Sequence, residues 1–160
     1  MGDVHVRLAT AADREAITDV LTASWGGATV VVHATVYDAL SLPALLAERG
    51  GKIVGLLTYT VSDGGLEIVS LDAMVQHSGV GSSLLAAAAE AAKQAGARRI
   101  WLVTTNDNLD ALRFYQRRGL RITGVTPGAV DAARAVKPSI PLSGEYGIPL
   151  HDELTLELSL

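Results

Sequence analysis

A glycine-containing segment, Gln76-His77-Ser78-Gly79-Val80-Gly81, has the residue types of an anion-binding loop. The apolar run at 66–71 before it predicts a strand, and the alanine-rich segment from Ser82 to Ala95 after it predicts a helix. The first N–H groups of a helix have no partner within it, and the helix dipole adds partial positive charge there. Glycines let a ligand approach the backbone closely. This spacing therefore indicates a binding site for an anion such as a phosphate group.

Other phosphate-binding patterns fit the segment less well. A Walker A loop needs Gly-Lys-Ser/Thr, which is absent, and a dinucleotide fingerprint needs a third glycine where Leu84 stands. Asp107 follows the next strand roughly where a ribose-binding acid would lie, but a nicotinamide domain needs more βα units than this chain supplies. A small nucleotide-binding domain and a plain tight turn, in which glycines only relieve crowding, stay open as alternatives.

Composition predicts a single globular domain over residues 1–160, with 49% hydrophobic and 19% charged residues. The formal net charge of −4 argues against a nucleic-acid or membrane partner, because both need a basic surface. The chain has no cysteine, which excludes disulfides and thiolate nucleophiles. The first residues lack a signal pattern, so we expect a cytoplasmic protein.

The elements that must position this loop begin with a strand at 4–8. Thr10 and Asp13 predict a capped first helix that ends at Trp25-Gly26-Gly27, and a second helical stretch is expected at 34–40. Strands at 44–49 and 52–61 flank Gly50-Gly51, a pair that favours a hairpin turn.

The second half predicts a strand at 100–104, a helix at 108–118, a strand at 121–125 and a short helix at 130–136. Residues 126–150 are otherwise unassigned, and alternating leucines at 154–160 predict the last strand. The strand–helix–strand order around the glycine loop implies a parallel pair. We therefore predict an α/β (α+β type) fold with a mixed, mostly antiparallel sheet of six to seven strands, a parallel central pair and flanking helices.

Two motifs resemble the GCN5-related N-acetyltransferase (GNAT) superfamily. The first is Gln76-x-x-Gly79-x-Gly81, followed by Leu84-Leu85, and the second is Asn108-x-x-Ala111-x-x-Phe114-Tyr115-x-x-x-Gly119. The resemblance is close over residues 66–125, while residues 4–65 agree in element order and length. It implies acetyl-CoA as the acyl donor and no metal ion.

The resemblance also implies how the coenzyme is held. The strands before and after the long helix splay apart in the family, and backbone groups at the end of the first strand pair with pantetheine, while amides of the loop hold the pyrophosphate. Asn108 resembles an asparagine that contacts the coenzyme, and it is also a candidate helix N-cap. The implied cofactor-binding residues are Leu71, Asp72, Ala73, Gln76, His77, Ser78, Gly79, Val80, Gly81, Ser82 and Asn108.

The resemblance implies Tyr115 as the phenol that hydrogen-bonds or protonates the coenzyme A sulfur; otherwise it is a core aromatic beside Phe114. Glu67 is the first candidate for the catalytic base, although some family members use water chains or no base. Regular alternation puts Glu67 on the face of Val69 and Leu71, with Asp72, the second candidate, opposite unless a bulge intervenes. The alternative to a catalytic role is that Glu67 is simply a solvent-exposed acidic residue on the strand. His33 and His151 lie in segments that could fold over the acceptor site.

A cluster of basic residues lies between 93 and 121. Seven of the chain's thirteen Lys and Arg residues fall there against Asp107 and Asp110, giving a local charge of +5. We expect part of this cluster, with Arg113 and Arg117 best placed, to meet the phosphates of coenzyme A; a solvated helix face is the alternative.

The sequence thus predicts an N-acetyltransferase that moves an acetyl group from acetyl-CoA directly to an amine acceptor, since no cysteine can carry an acyl-enzyme. The acidic balance elsewhere favours a cationic acceptor. A non-catalytic coenzyme A-binding sensor of the same fold is the alternative. The acceptor's identity is open, and the long connection before the last strand could help to form a homodimer.

Overall fold

The computed structural model describes residues 3–75 and 78–160. Its strands are β1 (His5–Leu8), β2 (Thr29–Val32), β3 (Thr35–Asp38), β4 (Ala44–Arg49), β5 (Lys52–Ser62), β6 (Gly65–Ala73), β7 (Arg99–Thr105), β8 (Arg121–Thr126) and β9 (Glu153–Ser159). Its α-helices are α1 (Arg14–Trp25), α2 (Val80–Gln94), α3 (Leu109–Arg117) and α4 (Ala129–Val136). Short 3₁₀ segments cover Ala11–Asp13, Ala39–Ser41 and Glu145–Gly147.

Within these described ranges, seven strands form one sheet in the order β1-β4-β5-β6-β7-β9-β8, and β2 and β3 form a separate two-stranded sheet. Because α2 connects the neighbouring strands β6 and β7, these two strands run parallel, while β1, β4, β5 and β6 pair antiparallel. The predicted fold class is confirmed.

The residues group into two compact units. The first contains the chain up to Val30, Asp38–Ile100 and Leu160, and the second contains Val31–Tyr37 and Trp101–Ser159. The expectation of one domain over residues 1–160 stays a prediction. None of the helices in the described part of the chain is long and apolar enough to cross a lipid bilayer.

In the first unit, two hairpin turns contain glycine, and the one at Gly50-Gly51 confirms the prediction. Gly50 and Gly51 join β4 to β5 with φ values of 58° and 78°, and Asp63 and Gly64 join β5 to β6 with 52° and 76°. Positive φ at both central positions matches the right-handed twist of the flanking strands. The predicted capping pair is present at the 3₁₀ segment Ala11–Asp13 that leads into α1, where the Thr10 N–H donates to the Asp13 carboxylate at 2.7 Å.

The pairing of β5 with β6 contains a register shift. Thr58 pairs with Ser70 but Tyr59 pairs with Ile68, so β6 has one extra residue, Val69, at this point. A bulge of this kind reverses the alternation beyond it. Glu67 and Asp72 therefore lie on the same face of β6, and the prediction that regular alternation groups Glu67 with Leu71 is wrong.

Helix α2 packs on β4, β5 and β6 through buried Leu84, Leu85, Ala88 and Ala92. The approach is close at Gly55 in β5. A Cβ atom there would lie 2.6 Å from Val80 Cγ1 and 2.8 Å from Leu84 Cδ1. Glycine at this position therefore sets how closely the first turn of α2 approaches the sheet.

We expect Gly55→Ala to lower the free energy of unfolding by about 1–3 kcal/mol, because the added methyl overpacks the α2 contact. Urea unfolding measures this as a lower midpoint at unchanged slope. Gly124→Ala is the matched control, since its Cβ would meet only Thr155 Cβ at 3.8 Å and Thr155 Oγ1 at 3.9 Å. Equal midpoints for the two variants would contradict the packing argument.

The expected helix at 34–40 is wrong. The segment forms the β2–β3 hairpin and then the 3₁₀ turn Ala39–Ser41. Val30, Val31 and Val32 are β-branched residues that favour strands. His33 and Ala34 make the two-residue turn with φ values of 40° and 60°. Neither is glycine or asparagine, so the sequence carries no hairpin signal here.

In the second unit, polar side chains hold the segment 137–150, which the sequence left mostly unassigned. The buried Asp107 carboxylate accepts from the Glu145 N–H at 2.8 Å. Asn106 donates to the Pro149 carbonyl at 2.9 Å, and its side-chain oxygen accepts from the N–H groups of His151 and Asp152 at 3.0 Å. The predicted short helix is confirmed as α4.

Candidate active site

In the first unit, the end of β6 is followed closely in the chain by the start of α2. Leu71, Asp72 and Ala73 are half-buried at the end of β6. Gln76 and His77 lie outside the described residues. Gly79 has φ 83° and is the N-cap of α2, which begins at Val80, earlier than the sequence predicts. Gly79 thus takes a left-handed conformation that glycine adopts without strain.

The first turn of α2 presents backbone donors. The Ser83 N–H donates to the Gly79 carbonyl at 3.0 Å, so the N–H groups of Val80 and Gly81 precede the first bond within the helix. The N-cap residue, Gly79, has no side chain that could cap this end of the helix. Donors in this position can bind an anion, and anion binding by this loop stays a prediction.

Arg49 is a residue at this loop that the sequence analysis missed. Its Nη2 donates to the Ser78 carbonyl at 3.0 Å, across 29 residues of sequence. In the part of the chain that the structure describes, its Nε is buried and has no hydrogen-bond partner. An unsatisfied buried donor costs roughly 1–3 kcal/mol, which an anionic acceptor would recover. The only sequence signal for Arg49 is its position at a strand end before Gly50-Gly51.

Two carboxylates lie on the same face of β6. Glu67 is 3% exposed, so its explanation as an exposed strand acid is wrong. Asp72 accepts from Trp25 Nε1 at 3.0 Å. Burial raises the pKa of Asp72, and hydrogen bonds from Trp25 and Ser24 partly offset this rise. A carboxylate with a raised pKa is a stronger base. The choice between Glu67 and Asp72 as the catalytic base stays a prediction.

In the second unit, Asn108 occupies the N-cap position of α3, but its side chain makes no capping hydrogen bond. Instead its Nδ2 donates to Thr104 Oγ1 at 3.0 Å. The expected side-chain cap is therefore wrong. Because this bond fixes the orientation of the amide group, its side-chain oxygen is held in one direction, as a ligand-binding asparagine requires. The coenzyme contact of Asn108 stays a prediction.

Tyr115 is the more buried aromatic of its pair. It is 7% exposed and its ring meets Phe114 edge-to-face, with centroids 5.3 Å apart. Phe114 is half-buried under Arg118, whose guanidinium carbon lies 3.8 Å from the ring centroid. This burial suits a core aromatic and also a phenol shielded from water, so the proton-donor role of Tyr115 stays a prediction.

The two candidate histidines differ in their surroundings. His33 is half-buried in the β2–β3 turn, with Nε2 3.3 Å from the Tyr37 hydroxyl. His151 is exposed and its Nδ1 lies 3.0 Å from Asp131, whose pKa is lowered by hydrogen bonds from His151 and Arg134. His151 therefore lies in an exposed hydrogen-bonded pair with Asp131, and its place over an acceptor site stays a prediction.

The basic cluster on α3 is largely solvent-exposed. Arg113 and Arg117 are both exposed, and Arg118 stacks on Phe114. Their contact with coenzyme phosphates stays a prediction. Among the described residues, no group of three or more His, Asp or Glu side chains is arranged to hold a metal ion.

Comparison with known proteins defines the class. The chain matches the model of the Acetyltransferase (GNAT) family over residues 15–120, which is more than half of its length. The uncharacterized protein YdhI of Bacillus subtilis (strain 168) is 40% identical over 139 residues, which cover 86% of this chain and 87% of that protein. The chain belongs to the GNAT acetyltransferase family.

Solved structures share the fold. An IAA acetyltransferase from Bacillus cereus ATCC 14579 superposes with a TM-score of 0.77 at 23% identity, covering 99% of this chain and 100% of that one. A Bacillus subtilis acetyltransferase in complex with CoA gives a TM-score of 0.70 at 20% identity, covering 99% of each chain. The resemblance seen in the sequence motifs is confirmed at the level of family and fold.

Proposed function

We propose that this protein is an N-acetyltransferase that moves the acetyl group of acetyl-CoA directly to an amine acceptor. The observation that carries the proposal is the set of donors directly after β6, namely the first-turn amides of α2 and the guanidinium of Arg49, which donates to the Ser78 carbonyl. Membership of the GNAT acetyltransferase family supports an acetyl donor, and the related structure with bound CoA supports the coenzyme.

The residues proposed to bind acetyl-CoA follow the order of the chain. Backbone groups of Leu71–Ala73 pair with the pantetheine amides. Amides of residues 76–82 bind the pyrophosphate, with the loop carbonyl of Ser78 held by Arg49. The side-chain oxygen of Asn108 supplies a further polar contact.

The proposed chemistry is a single transfer. The neutral acceptor nitrogen attacks the thioester carbonyl carbon, the C–S bond breaks, and coenzyme A leaves as the thiol. The proton lost by the nitrogen goes to a carboxylate of β6, Glu67 or Asp72. The sulfur receives its proton from the Tyr115 hydroxyl, whose ordinary pKa near ~10 suits a thiolate leaving group. The sequence has no cysteine, which supports transfer without an acyl-enzyme.

Thiol release from acetyl-CoA in the presence of a panel of amines tests this function. We expect release that depends on both protein and acceptor, together with an acetylated amine detected by mass spectrometry. Tight binding of coenzyme A without thiol release in the presence of any amine would contradict the proposed enzymatic activity and favour a non-catalytic coenzyme A-binding sensor. Thermal stabilisation of the protein by NAD or ATP but not by coenzyme A would contradict the proposal that the loop binds coenzyme A.

Arg49→Met is expected to weaken coenzyme A binding about tenfold, the effect of losing one charge-assisted hydrogen bond. Because part of this interaction is electrostatic, the salt dependence of the dissociation constant should also become shallower. Titration calorimetry at two salt concentrations measures both. Arg14→Met, at an exposed position in the first turn of α1, is the control. A wild-type dissociation constant for Arg49→Met would remove Arg49 from the site.

We also propose a cytoplasmic location, which the absence of cysteine in the sequence supports. Fractionation of cells that produce the protein would test it.

A further inference from the structure

An aromatic cluster with a buried carboxylate lies in the second unit, at the turn between β2 and β3. We name it the His33 cluster; its members are His33, Tyr37, Trp101 and Glu153. The His33 ring centroid lies 5.3 Å from that of Trp101 and 5.8 Å from that of Tyr37. The two carboxylate oxygens of Glu153 lie 3.1 and 3.3 Å from the backbone nitrogen of His33.

Glu153 is a buried acid with few donors. It is 4% exposed, and among the described residues one group donates to it, the backbone N–H of His33, which both oxygens share. A carboxylate can accept about four hydrogen bonds, and a buried one is normally paired with a cation. Burial raises the pKa of Glu153, and the hydrogen bond from the His33 N–H and the electrostatic attraction of His33 only partly offset this rise. Glu153 therefore has capacity to bind a positively charged donor.

The three rings add a second feature that attracts cations. The faces of tryptophan and tyrosine rings attract ammonium groups through their quadrupoles. Tyr37 and Trp101 are half-buried, as is His33, so part of each side chain is reachable from outside. The His33 ring is oriented by hydroxyls at both nitrogens, with Thr35 Oγ1 3.2 Å from Nδ1 and the Tyr37 hydroxyl 3.3 Å from Nε2.

The turn that carries His33 is held in a costly conformation. His33 and Ala34 have φ values of 40° and 60°, which residues with a β-carbon adopt rarely. The bond from the His33 N–H to Glu153 helps to hold this geometry, and it connects the turn to the carboxylate. Such strain persists where surrounding contacts determine it, and it occurs often at binding sites.

We propose that the His33 cluster binds a positively charged group of the acyl acceptor. This inference rests on the proposed acetyltransferase function. The nitrogen that attacks the thioester must be neutral. The cationic group held by the cluster is therefore a different group of the same molecule, so the acceptor is an alkyl amine that carries a second, protonated amino group. Glu153 pairs with that ammonium group, and the rings of Tyr37 and Trp101 pack around the methylene groups next to it.

Comparison of 1,4-diaminobutane with butylamine tests the proposal in the thiol-release assay. We expect the wild-type protein to have a kcat/KM for the diamine at least about tenfold above that for the monoamine, as one charge-assisted contact provides. In Glu153→Gln this ratio should fall towards one, mainly through the KM for the diamine. Glu90→Gln, at an exposed position on α2, should keep the wild-type ratio.

Direct binding separates this inference from the proposed function. Calorimetric titration with the diamine requires no turnover. If the wild-type protein binds the diamine more tightly than butylamine but releases no thiol, the proposed cation site stands and the proposed enzymatic activity is contradicted. Equal binding of the two amines, or diamine binding unchanged in Glu153→Gln, would overturn the site. If Glu153→Gln does not fold, Trp101→Leu against Trp101→Phe provides the test, because only the leucine variant lacks a ring. Equal diamine binding by these two variants would overturn the proposal.

Discussion

Replacing Tyr115 by phenylalanine should lower the kcat of acetyl transfer by ~10²- to 10⁴-fold, the range for losing a general acid. Negative charge develops on the coenzyme A sulfur as the C–S bond breaks, so a proton or hydrogen bond donated to the sulfur stabilises the transition state. Tyr115 is buried beside Phe114, so the substitution removes one oxygen and keeps the ring packing. The initial rate of thiol release under saturating acetyl-CoA measures the effect.

Two further measurements separate chemistry from packing in this variant. The dissociation constant of coenzyme A and the urea midpoint should both stay close to wild type, because the ring remains. Tyr146→Phe is the matched control: this tyrosine is exposed and its hydroxyl donates to Asp110 at 2.5 Å. A wild-type kcat in Tyr115→Phe would contradict the role of Tyr115 as the general acid and indicate that it is only a core aromatic residue.

Glu67→Gln is expected to reduce kcat/KM by about 10²-fold and to remove the acidic limb of the pH–rate profile, as loss of a general base does. Glutamine has nearly the same shape, so the buried position stays filled. Asp72→Asn is the paired variant, since the register shift in β6 puts both carboxylates on one face. If Asp72→Asn abolishes the limb and Glu67→Gln leaves it unchanged, the base is Asp72.

Stability against pH gives an independent readout for Asp72. Its folded pKa is raised above the ordinary 3.8 by burial, so the folded state holds its proton to higher pH than the unfolded state does. Its contribution to the free energy of unfolding therefore falls as pH rises from about 3.8 through the folded pKa, and it stays low above it. Asp72→Asn should remove this decline, which urea midpoints between pH 4 and pH 8 would reveal.

Most of the fold could be predicted because its signals are local. Gly50-Gly51 specifies a two-residue hairpin turn, and the glycines around α2 mark where a helix starts after a strand. The prediction of a coenzyme-binding loop at residues 76–81 rests on the same local spacing. By contrast, Arg49 and Ser78 are brought together by tertiary structure alone, and no local pattern relates an arginine at a hairpin to a loop 29 residues later.

Two features of the fold depend on backbone geometry that side-chain patterns do not encode. The β2–β3 turn places positive φ on His33 and Ala34, where the usual glycine or asparagine is missing, so the segment resembles a helix in sequence. The extra residue at Val69 changes the facing of β6 without any glycine or proline to mark it. The bond of the Asn108 side chain to Thr104 Oγ1, in place of a cap on α3, is a further detail that the local sequence does not specify.

The extra residue in β6 has a consequence for how such a site can be altered. Because one inserted residue decides whether Glu67 and Asp72 share a face, their relation depends on the length of the strand and not on the identity of any side chain. Substitutions at Val69 should keep both carboxylates on the same side. Removing Val69 would leave every other side chain present and still separate the two acids, so a change of length can undo an arrangement that point mutations leave intact.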